Sequence, residues 1–414
     1  TTTANGFNTV TYSGNGATQS VEGVGFQPDM VWLKSRSATY DHVITDSVRG
    51  VSKELIPNKT DAETTQSGLD LISFDNDGFT LKLGTSTSYN NSSQTYVGWC
   101  WDAGTGSAAS NSDGSVTSSV KANQDYGFSI VTYTGTNSST ETIGHGLGTA
   151  PDMIMVKSRD NSSNFWCVYH SGNTAEPETE LLRLNTNNAT LDGDVYWNDT
   201  APTSSVFTVG TSSALNNTDD FVAYCFANVT GYQKAGSYTG NGSASGPTVT
   251  TDFRPSWVMI KRTDSSGEWI ILDNTRDTDG SLNTLLYPNL NNAEAATGLG
   301  GITPSATGFQ VTSTLSDINA SSGTFIYLAI ADTRDALFTS DASGNSNNWA
   351  ANDLQHSDVM PDTPTDGFAT WNPLRPNASM TYAEGNLSAI SSGGSGRSGY
   401  GTFGMVSGKW DFET

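Results

Sequence analysis

Residues 194–202, with the sequence DVYWNDTAP, carry the side chains best suited to bind a ligand. Tyr196 and Trp197 supply aromatic rings, while Asn198 and Asp199 supply an amide and a carboxylate. An aromatic ring beside hydrogen-bonding groups is typical of sugar sites, because those groups bind the sugar hydroxyls. The four residues are therefore a candidate glycan site. The alternative is that Trp197 folds back as a lid on the domain core.

Residues 75–78, Asp-Asn-Asp-Gly, resemble part of a calcium loop, since hard cations bind several closely spaced oxygen ligands. A full loop would need an acidic first ligand and a Glu at the twelfth position, where Ser73 and Gly84 stand. The stretch is therefore predicted to be a hairpin turn. No zinc spacing relates the histidines, which are His42, His145, His170 and His356. We predict neither a metal nor a cofactor.

Catalytic residues are not singled out by their spacing. A glycosidase needs two carboxylates about 5 to 9 Å apart, and the chain offers too many candidates to select a pair. The candidates in polar stretches are Asp70, Asp75, Asp192, Asp194 and Asp199. A GxSxG elbow for a serine nucleophile does not occur in the sequence. We therefore expect that the protein is not an enzyme and assign no catalytic residue.

The composition favours strands joined by turns over surface helices. Charged residues make up only 15% of the 414 residues, and Gly, Ser, Thr and Asn are abundant. Surface helices need Glu, Lys and Arg, whereas these small polar residues favour turns. The 10 Trp, 16 Phe and 15 Tyr still supply enough apolar area for thin sandwich cores. The chain is predicted to be all-β.

The charge balance restricts the partners. Asp and Glu outnumber Lys and Arg by 42 to 19, which gives a formal net charge of −23. Such a field repels phosphate backbones, so nucleic acid is not an expected partner. No apolar run approaches the ~18 residues of a membrane span, so membrane insertion is not expected.

One eleven-residue motif occurs in three related copies. They are FQPDMVWLKSR at 26–36, TAPDMIMVKSR at 149–159 and FRPSWVMIKRT at 253–263. When the three copies are aligned on the proline of this motif, the sequence motifs that follow it are aligned as well. The closing apolar strands read TYVGWCW, DFVAYCF and TFIYLAI, and their third residues, Val97, Val222 and Ile326, lie 69, 71 and 71 residues after that proline. The repeat is therefore domain-sized, and three tandem antiparallel β-sandwich repeats with a jelly-roll or concanavalin-like architecture are predicted.

Composition places the boundaries. The expected organisation is a first repeat at 1–102, a linker at 103–126 with almost no large apolar residue, a second repeat at 127–229, a third repeat at 230–333 and a Pro- and Asn-rich extension at 334–414. The extension ends in a few alternating strands. The repeats are expected to be separate units strung like beads, each with its own core.

The apolar run Met30–Leu33 predicts a central strand that is buried on both faces. Pro28 marks its entry, since proline is tolerated at the start of a strand. The three cysteines, Cys100, Cys167 and Cys225, show no CxxC spacing. Cys100 and Cys225 share a repeat position that Ala329 fills in the third copy, so we interpret the cysteines as buried free thiols.

These copies resemble a concanavalin-like or laminin-G-like module of tail-fibre and other structural proteins of marine bacteriophages. The resemblance is carried by GFQPDMVWLKSR and TYVGWCWDAG in the first copy, GHGLGTAPDMIMVKSR in the second and FRPSWVMIKRTD in the third. The tail, with SNNWAANDL and GTFGMVSGKWDFE, resembles the beginning of a SPRY-like sandwich. That part stops early, and the third copy lacks the Cys and closing Trp of the first.

The resemblance implies a non-enzymatic virion protein, a fibre or surface appendage located on the virion surface or outside the cell. Its implied partners are other virion subunits, further copies of the chain in a homo-oligomer such as a trimer, and a glycan or protein of the host surface. Several weak sites on one chain would raise avidity. The alternatives are a carbohydrate-active depolymerase with lectin-like modules and a purely architectural decoration or spacer protein.

Overall fold

The computed structural model of the chain describes residues 6–333, apart from 67, 84–87, 279, 297 and 299, together with 380–383 and 388–391. The chain folds into two compact units, Thr1–Asp332 and Thr333–Thr414. The three repeats fall within the first unit, which is almost entirely β, as predicted.

The first repeat is a sandwich of two antiparallel layers. Its strands are β1 (Phe7–Ser13), β2 (Gln19–Glu22), β3 (Met30–Ser35), β4 (Val43–Asp46), β5 (Lys53–Glu54), β6 (Thr64–Thr65), β7 (Asp70–Asp75), β8 (Gly78–Lys82) and β9 (Thr95–Trp101). The larger layer has the order β1-β9-β3-β4 and the smaller layer β2-β8-β7, while β5 pairs with β6. All six positions of β3 are buried, which confirms the predicted central strand.

The second repeat has the same plan with a wider large sheet. Its elements are β10 (Ala109–Asn111), β11 (Ser118–Asn123), β12 (Phe128–Thr134), β13 (Glu141–Gly144), β14 (Met153–Ser158), β15 (Cys167–His170), a 3-10 helix (Pro177–Thr179), β16 (Glu180–Arg183), β17 (Leu191–Asp192), α1 (Asp194–Trp197), β18 (Val206–Val209) and β19 (Asp220–Phe226). The large sheet has the order β10-β11-β12-β19-β14-β15-β16-β17, and β13 pairs with β18. The segment β12-β19-β14-β15 matches the large layer of the first repeat.

The third repeat returns to the arrangement of the first. Its elements are β20 (Gln233–Thr239), β21 (Thr248–Thr250), β22 (Pro255–Arg262), β23 (Ile270–Asp273), β24 (Thr284–Leu285), β25 (Ala295–Ala296), β26 (Ile302–Ser305), β27 (Gly308–Val311), α2 (Ser316–Asn319) and β28 (Thr324–Ala331). The two layers have the orders β20-β28-β22-β23 and β21-β27-β26. The internal repeat is therefore a repeat of topology as well as of sequence.

Residues 103–126, which we expected to serve as a linker, carry β10 and β11. Strand β11 pairs with β12 and extends the large sheet of the second repeat. Val120 joins the core of that repeat, while Ser119 and Lys121 on the opposite face are only half-buried. A strand with one wet face needs few large apolar residues, which is why the composition suggested a linker.

The central strands of the large sheets are covered on both faces, and their second faces meet in one shared core. Within the first repeat, Val31 and Leu33 pack against the repeat's own small sheet. The alternate residues Met30 and Trp32 belong to a cluster that includes residues of all three repeats. The three repeats are therefore not separate domains in a row, as we expected, but parts of one compact unit.

Trp101 lies where the three repeats meet. Its ring is 6.3 Å from the ring of Phe226 in the second repeat and 5.8 Å from that of Trp257 in the third. Edge-to-face aromatic pairs of this kind add about 0.5–1.5 kcal/mol each beyond the area they bury. The shared core therefore stabilises the repeats mutually.

Side-chain N–H groups at one equivalent position of each repeat connect the three repeats in a closed ring. The residue just before the fourth strand of the matching sheet segment is His42, Trp166 or Trp269. Each ring N–H donates to a backbone carbonyl of a neighbouring repeat: His42 to Tyr287 (2.9 Å), Trp166 to Ile56 (3.1 Å) and Trp269 to Arg183 (2.9 Å). The contacts run from the first repeat to the third, from the third to the second and from the second to the first. Equivalent contacts that return to their start close a ring, as in a cyclic trimer.

Two of these contacts bury an aspartate–arginine pair. In the first repeat, Arg49 Nε lies 2.5 Å from Asp46, and both side chains are fully buried. The hydroxyl of Tyr224, in the second repeat, donates to the same carboxylate at 2.7 Å. In the third repeat, Arg276 and Asp273 form the equivalent pair at 2.6 Å. Its outside donor is the indole of Trp99 in the first repeat, at 3.0 Å.

The contact of the third repeat with the second is neutral. His170 and Asn173 stand where the other repeats have the aspartate and arginine, and Leu328 stands where they meet Tyr224 or Trp99. A leucine offers no donor, so a buried carboxylate opposite it would lack a partner. His170 Nε2 instead lies 3.0 Å from the carbonyl of Tyr327.

Arginine–glutamate pairs close the outer edge of the two charged contacts. Arg159 donates to both carboxylate oxygens of Glu63 at 2.9 Å, and the equivalent pair is Arg36–Glu294 at 2.8 Å. Burial acts to raise the pKa of Glu63, but Arg159 and Arg49 outweigh it and lower that pKa to about 2. At the neutral contact the matching residues are Thr190 and Thr263. The backbone N–H of Thr190 donates to the carbonyl of Thr263 at 2.9 Å.

In the second unit the described strands are β29 (Met380–Ala383) and β30 (Ser388–Ser391), which pair antiparallel. The other residues of the predicted extension, including the SPRY-like stretches, lie outside the described residues.

Candidate functional site

The loop predicted to bind glycans begins with the single-turn helix α1. Its aromatic residue Trp197 is 2% exposed and packs edge-on against Tyr169, with ring centres 5.9 Å apart. The indole N–H donates to the carbonyl of Glu180 at 3.0 Å. Trp197 therefore covers the core of the second repeat, as the alternative interpretation stated.

The other three residues of this loop reach the surface. Asn198 and Asp199 are exposed and have positive φ angles of 54° and 45°. Asn198 accepts a hydrogen bond from Thr140 at 3.0 Å, and the half-buried Tyr196 packs against Phe165. A glycan site here would depend on Tyr196, Asn198 and Asp199 without the indole, and it stays a prediction.

Residues 75–78 form the turn between β7 and β8, which confirms the predicted hairpin. Asp77 accepts hydrogen bonds from the backbone of Gly23 and Gly25 at 3.3 and 2.5 Å, so its carboxylate ties two loops together. Gly78 has φ 149°, and a Cβ there would lie 1.9 Å from the carbonyl oxygen of Val21. Gly84 lies outside the described residues.

No cluster with the composition of a metal site occurs among the described residues. Three or more His, Cys, Asp or Glu side chains do not come together there in a way that could hold an ion. The candidate catalytic carboxylates lie on different elements: Asp70 and Asp75 in β7, Asp192 in β17, Asp194 in α1 and Asp199 just after it. The structure does not bring these five together as one set.

Three equivalent buried lysines follow the apolar run of the repeated motif. Lys34, Lys157 and Lys261 are fully buried, and each ammonium group donates to backbone carbonyls of the loop that follows its strand. Burial lowers the pKa of each to about 8. These lysines hold the loop carbonyls in place.

An open groove of about 400 Å³ lies on the second repeat, beside the strands of the expected linker. Its floor is the outer part of the sheet face that elsewhere packs into the shared core. Ser110 pairs with Ser119, and Ser119 pairs with Thr132, so three hydroxyl residues form a row across β10, β11 and β12. Two residues before Thr132 in β12, Ile130 belongs to the shared core. The polar row therefore begins where the core ends.

A second row runs beside the first. Thr134 lies opposite Asp220 in the neighbouring strand, and its hydroxyl donates to that carboxylate at 2.7 Å. Arg159 Nη1 is 4.0 Å from the other oxygen of Asp220, whose side chain is 49% exposed. Thr117, two residues before Ser119, also lines the groove.

Repeats one and three carry hydroxyl side chains at the matching positions of the central strands, without the two strands that extend the row in the second repeat. The positions of Thr132, Thr134 and Asp220 are filled by Thr11, Ser13 and Thr95 in the first repeat and by Ser237, Thr239 and Thr324 in the third. In the described sheets, β1 and β20 stand at the end of their strand order, whereas β11 flanks β12. Sequence reasoning missed this groove, because Ser and Thr are common throughout the chain.

Within the described residues, no helix has the length and apolar character needed to cross a bilayer. A search of curated proteins found none that matches the chain. Residues 2–334, which contain all three repeats, match the family model described as domain of unknown function DUF7483. Because this match covers most of the chain, the protein belongs to the DUF7483 family.

Proposed function

We propose that the protein is a non-enzymatic structural protein of a bacteriophage particle, displayed on its surface, where it attaches to host-cell glycans through several weak contacts. The resemblance of the repeated motifs to marine phage tail-fibre modules suggested this role. Its other partners would be virion subunits and further copies of the chain.

The observation that carries the proposal is that three equivalent polar faces belong to one closed ring. Each face presents hydroxyl side chains at the same repeat positions, next to the shared core. A ring held by buried contacts keeps the faces at fixed relative positions. Fixed, repeated weak sites gain avidity when they bind a repetitive ligand such as a polysaccharide.

The use of the buried charges supports a structural role. The two fully buried aspartate–arginine pairs connect repeats, since each accepts a donor from a neighbour. Buried ion pairs of this kind serve register and specificity better than they serve net stability. The strong acidity of the chain suits a soluble, exposed component of a particle.

The test compares binding and turnover with the full chain. The purified protein is passed over immobilised neutral and acidic polysaccharides, while released reducing ends are measured and antibodies locate the protein on purified particles by electron microscopy. We expect retention on at least one glycan, no reducing ends and labelled particles. If the wild-type protein releases reducing ends and a variant that lacks one carboxylate does not, the protein is the depolymerase instead. Labelled particles without glycan retention would indicate a spacer.

A further inference from the structure

We propose that the groove beside β10 and β11 is the principal glycan site of this chain and that it takes an uncharged, polyhydroxylated sugar chain. This inference rests on the proposed function and names the site and the ligand class. The groove differs from the equivalent faces of the other repeats because β10 and β11 widen its floor. The expected linker thus supplies the part of the site that repeats one and three do not have.

The hydroxyls of the groove floor are available for a ligand. Among the described residues, Ser110, Ser119 and Thr132 make no side-chain hydrogen bond, while their backbones lie in paired strands. A hydroxyl both donates and accepts, as the hydroxyls of a sugar do. Adjacent strands are about 4.8 Å apart, so the row spans about 10 Å. An extended sugar chain can therefore follow the row and bond to successive residues.

The charges around the groove select against acidic sugars. Both carboxylate oxygens of Glu63 are bound by Arg159, so this guanidinium is already neutralised. Asp220 is the exposed charge, and only one of its oxygens accepts a hydrogen bond from Thr134. The other oxygen can accept from sugar hydroxyls, whereas a uronate or sulfate would be repelled by it and by the net charge of −23.

Binding at one groove should be weak. Tyr133 lines the groove, but its ring is 4% exposed and belongs to the core of the second repeat, so it offers no stacking platform. Neutral hydrogen bonds that replace water contribute little each, and a Kd on the order of 1 mM is expected for a single oligosaccharide. Affinity on a particle would then come from many copies.

The experiment titrates the full chain with neutral dextran and mannan oligosaccharides and with their sulfated forms, observed by saturation-transfer NMR. The double variant Ser119→Ala with Thr132→Val removes two hydroxyls and keeps the strands. The matched control is Thr248→Val, which removes an exposed strand hydroxyl on the small sheet of the third repeat, away from the three polar faces. We expect the double variant to weaken binding of a neutral probe at least fivefold, with the control unchanged.

The outcomes separate the groove from the proposed function. Equal binding by wild type and double variant, with an unchanged melting temperature, would overturn the groove and leave the function standing. Preference for a sulfated probe would overturn the uncharged ligand class. If the wild type binds none of the probes and none of the immobilised polysaccharides, the proposed glycan attachment fails as well.

Discussion

Replacing Asp46 with Ala should be among the most damaging single changes in the first unit. The variant removes the carboxylate that Arg49 contacts at 2.5 Å and that Tyr224 of the second repeat contacts at 2.7 Å. Arg49 remains fully buried and keeps Glu63 at 3.0 Å, the carbonyl of Ile44 at 3.0 Å and the hydroxyl of Tyr224 at 3.2 Å. Breaking a buried pair costs about 3–5 kcal/mol, and the remaining partners place the expected loss near the lower end, at about 3 kcal/mol.

The assay is urea unfolding of the full chain at pH 7, followed by tryptophan fluorescence. The seven tryptophans of the first unit are all buried in the folded state. The control is Lys234→Met, which breaks an exposed pair with Asp252 and should cost less than about 1 kcal/mol. A loss below about 1 kcal/mol for Asp46→Ala would refute the importance of the buried pair.

A companion variant tests the same reasoning from the other side. The changes Asp46→His, Arg49→Asn and Tyr224→Leu together copy the neutral contact between the third and second repeats. Although three residues change, no buried charge of the pair is left without a partner. The triple variant should therefore unfold at a higher urea concentration than Asp46→Ala. The opposite order would show that the charged and neutral sets are not interchangeable solutions.

The other predictions concern buried groups with single roles. Burial lowers the pKa of His170 to about 4, below the unfolded value of about 6.5, so its stabilising contribution is present above pH 6.5 and lost as the pH falls towards 4. Measured unfolding free energies should fall by up to about 3 kcal/mol over that range on account of this group, and His170→Asn should flatten the slope between pH 6.5 and 4.5. The thiols are free and buried, and burial raises the pKa of Cys225 to about 12, so a disulfide thiol reagent at pH 8 should label the chain only after denaturant is added. Trp197→Phe should cost about 1 kcal/mol through the lost bond to Glu180 without changing glycan retention, and lost retention in a folded variant would restore the indole as a binding group.

The sequence was sufficient for the elements of each repeat because their signals are local. The apolar run of β3, the hairpin at 75–78 and the buried thiols all follow from residue types within one repeat, and the structure confirms each of them. The boundary at 103–126 was harder, since β11 has one wet face and therefore carries few apolar residues. Its pairing partner β12 decides that it is a strand, and pairing is not a local property.

The shared core could have been inferred from the same pattern that predicted β3. A small sheet covers only one face of a large sheet, so a strand that is apolar on both faces requires a second cover. The prediction of separate beads left the face of Met30 and Trp32 without a partner, and the neighbouring repeats supply it. Which repeat contacts which could not be inferred, because the contacting side chains lie far apart in the sequence.

The candidate site shows the limit of reading residue types alone. Trp197 and Asp199 are only two residues apart, yet Trp197 is buried and Asp199 is exposed. The helical turn α1 and the positive φ angles of the residues after it determine which side chains are buried. The spacing of residue types in the sequence does not predict these backbone angles. The groove was missed for the opposite reason, because serine and threonine are so common in this chain that a row of them does not stand out.

The differences between the three contacts follow the chain connections. The third repeat follows the second after a junction of a few residues, where the side chain of Gln233 donates to the carbonyls of Gly127 and Ala227. This short tie already holds those two repeats in register, and their contact is the neutral one. The first and third repeats have no direct chain connection, and the segment that joins the first and second, residues 103–126, is much longer than that junction. Those two contacts carry the buried charged pairs, which would cost more in a wrong register than in the right one. The buried charges therefore contribute to how the ring closes at the two contacts that no short junction holds.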